Sequence, residues 1–353
     1  MRLIFSSSSS QKPDRASATP RVVLLFGFCL VSLVSSAYTR GSYAAGAPMA
    51  ALSPPDLTTM DSNQLAHFVH ERPTALGSLS LGFPHNGQLL NPVQPEAGVL
   101  FEVVAPDFCY GTQETVRYLE TAVRAVHAAF PATPALHLGH ISKPGGGYLS
   151  PHLSHQSGRD VDIGFYYKNK RAWYRRATND TLDAERTWTL VKALITQTDL
   201  EFLFIDRWVQ MLLKNQAIKV GEDKKWLDQV FNGSTERPAL IRHASGHATH
   251  IHARFFNPQA QENARLAYPH LLTEKIIEPV VVYHQHTVKK GETLGRLAKR
   301  YGTTVLAIQQ ANGIRGTNII AKRTYKIPAP GGPAPVTEHL EFPPRLIPEH
   351  TKS

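Results

Sequence analysis

Two histidine-rich stretches, well separated along the chain, decide the fold. The first reads Gly145-Gly-Gly-Tyr-Leu-Ser-Pro-His152-Leu-Ser-His155-Gln-Ser-Gly-Arg-Asp160-Val-Asp162-Ile163, and the second reads His247-Ala-Thr-His250-Ile-His252. Because alternate residues of a strand point to opposite faces, His250 and His252 share one face of a strand and Ile251 takes the other. The pattern predicts a strand that carries two neighbouring imidazoles, with a carboxylate supplied by an adjacent element.

The residue types in these stretches indicate a metal site. Two neutral imidazoles and one carboxylate suit zinc, and three protein ligands leave the fourth position open for water, which is the catalytic arrangement. Histidines also cluster in metal-storage tracts and on solvated faces, but their recurrence in two compact motifs favours reaction chemistry. His243 lies outside both motifs and is not counted among the ligands. The candidate residues are His152, His155, Asp162, His247, His250 and His252.

The two stretches resemble a known group of enzymes. His155 and Asp162 in the pattern His-x6-Asp, followed by His250-Ile-His252, are similar to the signature of zinc peptidases that include lysostaphin, D-alanyl-D-alanine carboxypeptidases and the hedgehog signalling domain. Within that group, both stretches resemble the penicillin-insensitive murein endopeptidases. The resemblance extends over residues 75–260. Further similar segments are Ser80-Leu-Gly, Asn86-Gly-Gln-Leu-Leu-Asn91, Tyr110-Gly-Thr and Phe204-Ile-Asp-Arg207.

The resemblance also implies roles for individual residues. It implies that zinc is bound by His155, Asp162 and His252. It implies that His250 and His247 are the catalytic histidines, whereas His152 and Asp160 support the ligands or face the substrate. The segment lacks the glutamate of a His-Glu-x-x-His site, so proton transfer by histidine is the consistent chemistry. The sequence leaves open which histidine takes which step.

A second set of motifs follows the histidine-rich stretches. It resembles a LysM domain, which implies a βααβ unit over residues 284–328 that binds N-acetylglucosamine in glycan. The alternative is a generic small α+β domain, but the Gly-Glu-Thr-Leu turn that ends at Leu294 and leads into a helix disfavours it. The matching segments are His286-Thr-Val-Lys-Lys-Gly-Glu-Thr-Leu294, Tyr301-Gly, Asn312-Gly and Tyr325-Lys-Ile327.

The N-terminus has the pattern of a secretory signal. A basic stretch ending at Arg21 precedes an apolar run, and small residues follow up to Ala37. We therefore predict a signal peptide at 1–37, cleaved near Ala37, with an uncleaved anchor as the alternative. Cleavage would leave Cys109 as the only cysteine, which excludes an internal disulfide. The remaining predicted segments are a linker at 38–55, a zinc murein endopeptidase domain at 56–279 and a flexible tail at 329–353.

Hydrophobic periodicity predicts an α+β fold. Amphipathic helices are expected at 114–129, 188–196 and 204–215, and strands at 136–139, 161–165 and 250–255. Helices in runs around a sheet predict a zinc peptidase domain with a central antiparallel sheet and flanking helices, followed by the small βααβ LysM domain.

Charge and motifs together select the substrate class. The net charge of +10 suits acidic polymers such as peptidoglycan or nucleic acid. A phosphate loop and a nucleic-acid recognition motif are both lacking, so we expect peptidoglycan as partner, with no nucleic acid and no stable membrane anchor. The prediction is a periplasmic or secreted zinc endopeptidase that cuts D-alanyl-meso-diaminopimelyl cross-links with zinc-activated water, while LysM docks on glycan. The alternatives are a D-alanyl-D-alanine carboxypeptidase and a non-catalytic, zinc-containing wall-binding protein.

Overall fold

The computed structural model describes residues 55–169, 173–279, 283–328 and 340–349. The predicted signal peptide at 1–37 and nearly all of the predicted linker lie outside the described residues. Within these ranges, no helix combines the length and the apolar character needed to cross a bilayer.

The described helices begin where the sequence supplies a capping side chain. In seven of them, an Asp or Thr directly before the helix accepts a hydrogen bond from a backbone N–H of the first turn, which satisfies a donor that the helix leaves unpaired. The helices are α1 (Ser62–Glu71), α2 (Gln113–Ala129), α3 (Ala184–Gln197), α4 (Arg207–Lys219), α5 (Lys224–Asn232), α6 (Pro258–Thr273), α7 (Leu294–Tyr301) and α8 (Val305–Asn312).

The described strands form a central six-stranded sheet and two separate two-stranded sheets. The central sheet has the order β3-β4-β5-β8-β6-β7, and β1 pairs with β2 while β9 pairs with β10. The strands are β1 (Leu79–Phe83), β2 (Asn86–Leu90), β3 (Phe101–Val103), β4 (Leu136–Leu138), β5 (Asp160–Gly164), β6 (Leu200–Ile205), β7 (Ile241–His243), β8 (His250–Phe255), β9 (Tyr283–Thr287) and β10 (Thr324–Pro328).

The central sheet combines antiparallel and parallel strands, as is compatible with an α+β fold. The four inner strands of the central sheet are antiparallel, as predicted, but β3 runs parallel to β4 and β7 runs parallel to β6. Parallel neighbours need a crossover connection, and the chain supplies it with α2 between β3 and β4 and with α4 and α5 between β6 and β7. The sheet is therefore mixed at its edges.

The helix-facing side of the sheet forms the main core. Ile251, Ala253 and Phe255 of β8 are fully buried there with α2 and α3 residues. The helix predicted over 204–215 was wrong at its start, because Phe204 belongs to β6, where it pairs with His252 of β8. The strand ends before α4 begins, so the apolar run spans two elements.

The C-terminal βααβ unit has its own small core. Strands β9 and β10 pair antiparallel, with Tyr325 opposite His286. Helices α7 and α8 end at Gly302 and Gly313, whose left-handed φ angles of 65° and 62° terminate a helix without a side-chain penalty. The order of elements is the predicted one. The buried residues include Leu294, Leu297, Ile308 and Ile327.

Residues 340–349, called the C-terminal strap below, lie extended against the larger domain. Leu346 packs on the main core, and the ring of Phe342 meets that of Phe256 edge-on at 5.5 Å. At residues 340–349 the structure thus differs from the flexible tail predicted for 329–353, because the larger domain donates hydrogen bonds to the Pro344 and Leu346 carbonyls and accepts one from Arg345. The polar contacts are Trp226 Nε1 to the Leu346 carbonyl (3.0 Å), Arg237 to the Pro344 carbonyl (2.7 Å) and Arg345 to Asp199 (2.7 Å).

Candidate active site

Strands β5 and β8 bring a carboxylate and an imidazole together. Asp162 on β5 lies directly opposite His252 on β8, so their side chains project from the same face of the sheet. The distance from Asp162 Oδ1 to His252 Nδ1 is 3.3 Å, and both residues are buried. The face opposite to the core therefore carries the predicted ligands.

His155 reaches this pair from the loop before β5. Its φ angle of 66° lies in the left-handed region, and its backbone N–H donates to the Asp160 side chain at 3.1 Å. Its Nδ1 lies 3.0 Å from the Ile141 carbonyl. Because a carbonyl can only accept, Nδ1 carries the proton, and Nε2 lies on the side of Asp162 and His252, where its lone pair can bind a metal ion placed between them.

The three side chains have the spacing of zinc ligands. His155 Nε2 lies 3.2 Å from His252 Nδ1 and 3.3 Å from Asp162 Oδ1. A tetrahedral zinc site with bonds of about 2.0–2.1 Å has ligand-to-ligand edges of about 3.3–3.4 Å. The ligand-to-ligand distances of His155, Asp162 and His252 are therefore close to those of such a site, and each member offers one ligand atom.

Asp160 supports the triplet from behind. It is fully buried, and Arg254, its partner across the β5–β8 pair, contacts both of its oxygens at 2.6 and 3.0 Å. His252 Nε2 is buried, has no hydrogen-bond partner among the described residues and lies 3.6 Å from Asp160 Oδ1. A carboxylate placed behind a histidine ligand orients its ring and raises its basicity.

The electrostatics of the triplet favour positive charge. Burial opposes the charged form of His252, but the neighbouring carboxylates of Asp160 and Asp162 outweigh burial and raise its pKa to about 9. Burial alone would raise the pKa of Asp162, yet the neighbouring His155, His252 and His250 hold it well below its usual range. A cation bound between these residues would be stabilised by the same two carboxylates.

His250 lies beside the triplet. Its Nε2 is 3.6 Å from Asp162 Oδ1, its Nδ1 is 3.0 Å from the Thr249 hydroxyl, and its ring stacks on Tyr174 with centroids 5.2 Å apart. Burial, followed by the neighbouring histidines, lowers its pKa to about 4, against the opposing charge of Asp162. At neutral pH this imidazole is uncharged and can exchange a proton or a hydrogen bond with a substrate.

His247 lies at the outer side of His250. Its ring centroid is 4.9 Å from that of His250, and its Nδ1 lies 3.1 Å from the Ser245 carbonyl. Since the carbonyl accepts, Nδ1 holds the proton and Nε2 has a free lone pair. His243, by contrast, accepts a hydrogen bond from the Arg207 backbone at the start of α4 and lies outside the site.

His152 is joined to a histidine that sequence reasoning missed. His152 Nε2 lies 3.9 Å from Asp162 Oδ2 and 2.8 Å from His140 Nδ1. His140 follows β4, and its carbonyl accepts a hydrogen bond from the Asp162 backbone. The sequence does contain a signal for His140, namely a histidine directly after a predicted strand. The proximity of His140 to Asp162, however, depends on the pairing of β4 with β5.

Asp162 is surrounded by the other six residues that were singled out from the sequence. Their side chains are buried or partly buried, and ring or ionic contacts link each one to the triplet or to Asp160. Such a cluster of imidazoles and carboxylates can hold a metal ion and move protons beside it. The residues are His152, His155, Asp160, Asp162, His247, His250 and His252.

Comparisons with known proteins agree with both resemblances. The family model for penicillin-insensitive murein endopeptidase matches residues 80–271, more than half of the chain, and the LysM domain model matches residues 286–328. The penicillin-insensitive murein endopeptidase of Haemophilus influenzae is 28% identical over 174 residues, which cover 42% of this chain and 52% of that protein. The chain thus spans about half the length of this relative. On the extent of the family match, the chain belongs to the penicillin-insensitive murein endopeptidase family.

Proposed function

We propose that the protein is a zinc metalloendopeptidase that hydrolyses peptide cross-links of peptidoglycan at D-alanyl-meso-diaminopimelyl bonds, in the periplasm or after secretion. The observation that carries the proposal is the triplet of His155, Asp162 and His252, whose ligand atoms converge at 3.2 and 3.3 Å. The family match supports the reaction class, and the Haemophilus influenzae relative is named as an endopeptidase of murein.

The triplet would hold zinc, and neighbouring groups would keep it in position. Zinc supplies Lewis acidity and lowers the pKa of water to about 7. The Ile141 carbonyl fixes the tautomer of His155, and Asp160, held by Arg254, lies 3.6 Å behind the ring of His252. Three protein ligands leave one position for chemistry, whereas a structural site uses four.

His250 and His247 would divide the proton transfers. His250 is neutral and lies beside Asp162, so we assign it to the attacking water and to the oxyanion that develops on the scissile carbonyl. His247 Nε2 offers a lone pair and lies next to His250, so we assign it the uptake of the proton that the attacking water loses and the delivery of that proton to the leaving amine. Thr249 and Ser245 hold these two rings in place.

The LysM domain would dock the enzyme on glycan strands. Its family match supports binding to N-acetylglucosamine-containing polymer, and the net charge of +10 favours approach to an acidic wall. Docking raises the local concentration of cross-links without adding a contact at the reacting atoms. The catalytic and docking surfaces would then act on one polymer.

The products of a digest test the proposed reaction. Purified zinc-loaded enzyme should convert a cross-linked muropeptide dimer into two monomers, because water attacks the bond that joins them. Mass spectrometry measures the masses of the products. A carboxypeptidase would instead release free D-alanine from the uncut terminus, and a binding protein would release nothing; either pattern contradicts the endopeptidase assignment.

Replacing residues 283–328 by a flexible linker should leave cleavage of soluble dimers unchanged and slow the digestion of intact sacculi at low enzyme concentration. The reason is that docking changes occupancy and not the barrier of the bound state. The replacement keeps the C-terminal strap, whose Leu346 packs on the main core. Release of soluble muropeptides measures the rate.

A variant that ends at Pro279 would not isolate the effect of LysM. It removes the strap together with LysM, and with it the ion pair of Arg345 and Asp199. We therefore expect it to unfold at a lower temperature than the linker variant. If the folded, zinc-loaded linker variant fails on soluble dimers as well, LysM must form part of the active site.

A further inference from the structure

A second group of ligating atoms lies next to the zinc triplet. It consists of His140, His152 and Asp162, whose ligand atoms all lie within 4.8 Å of one another. The two groups share only Asp162. His140 has no role in the proposed hydrolysis, so the close approach of His140 to His152 calls for a separate explanation.

The two oxygens of Asp162 face the two groups separately. Oδ1 lies 3.3 Å from both His155 Nε2 and His252 Nδ1. Oδ2 lies 3.9 Å from His152 Nε2, on the side of His140. A carboxylate with both oxygens directed to different imidazole pairs can bind one cation through each oxygen.

The pair of imidazoles can present two lone pairs to a cation. His140 Nδ1 and His152 Nε2 lie 2.8 Å apart, so one of them donates a proton to the other. If that proton moves to the outer nitrogen of the same ring, both facing nitrogens become ligands. Both rings are partly exposed, unlike the buried triplet, which gives an ion from solvent a path to them.

We propose that His140, His152 and Oδ2 of Asp162 form a second, weaker binding site for a divalent cation of the zinc class. The site rests on the proposed function, since Asp162 is also the zinc ligand there. Its weakness follows from geometry: the contacts of 2.8 and 3.9 Å depart from the about 3.3 Å edges of a tetrahedral zinc site, so side chains must shift to bind.

The second site makes zinc an inhibitor when it is in excess. The ion would draw charge from Asp162, which is also proposed to hold the catalytic zinc. The enzyme should therefore be active with one zinc per chain and slower with two.

Zinc stoichiometry of the full-length protein tests the site. Metal-free protein is dialysed against increasing zinc, and bound zinc per chain is measured by mass spectrometry of the metal. We expect one tight and one weaker zinc in the wild type. His140→Asn, which can still hydrogen-bond to His152 but is a poor zinc ligand, should keep the tight zinc and bind the second at least about tenfold more weakly.

His70→Ala is the matched control. His70 is an exposed histidine of α1 that contacts Glu274, so this variant should still bind two zinc ions and be inhibited like the wild type. A wild type that takes up one zinc at saturation, or a His140→Asn variant with an unchanged second affinity, overturns the second site alone. Loss of the tight zinc in the wild type would instead overturn the proposed function.

Discussion

Asp162→Ala should lose both zinc and catalytic activity. Asp162 lies 3.3 Å from both imidazoles of the triplet, so its removal would take away one of the three proposed ligands and the charge that would stabilise the cation. Metal activation of water and carbonyl is worth several kcal/mol, so kcat should fall by at least about 10³-fold. Metal analysis gives zinc per chain, and cleavage of soluble muropeptide dimers gives kcat.

Several variants make this result specific. His155→Ala and His252→Ala should also lose zinc, and Asp162→Asn should do so while keeping the shape of the side chain. Asp228→Ala, at an exposed position of α5, should keep both zinc and activity. Chelation should inactivate the wild type and added zinc should restore it. Full zinc occupancy in all three ligand variants would contradict the proposed ligands.

The sequence predicted the central strands of the site because their signals are local. Alternation in β8 places His250 and His252 opposite the core, and Ile251 is buried on the other face. The short spacing from His155 to Asp162 joins a loop to the next strand. These features need only the period of a strand and the chemistry of the side chains, both of which can be read from a single stretch.

The parts that were not predicted depend on contacts between distant segments. His140 joins the site only because β4 pairs with β5, a register that no local pattern specifies. Arg254 supports the site because it lies across from Asp160, which also requires the strand register. Residues 340–349 have the composition of a tail, and only the surface of the larger domain gives their backbone carbonyls partners.

The direction of the edge strands also depends on contacts between distant segments and was not predicted. A three-residue strand such as β3 or β7 has too few residues to show alternation, and parallel pairing arises from the helices that connect it. The start of α4 was mistaken because the apolar residues of β6 continue the helical period. In the structure, Asp206 marks the boundary between β6 and α4, since its side chain caps the helix directly after the strand.

His250→Ala should keep its zinc and lose at least about 10²-fold in kcat, the scale of general acid-base help. The proposed ligand set is complete without His250, whose Nδ1 lies 3.0 Å from the Thr249 hydroxyl and whose Nε2 lies 3.6 Å from Asp162. Its buried, neutral ring is placed to exchange a proton or a hydrogen bond beside the metal. Zinc per chain and kcat on soluble dimers are measured on the same preparation.

This variant also separates a catalytic zinc site from a structural one. If His250 were a fourth ligand, the coordination sphere would be closed, as in structural zinc sites, and no position would be left for chemistry. His250→Ala would then lose zinc together with any activity. His243→Ala is the control, because His243 lies outside the site and bonds to the Arg207 backbone; it should keep zinc and kcat. Zinc retained with activity lost therefore supports catalysis by His250, whereas loss of both makes it a ligand.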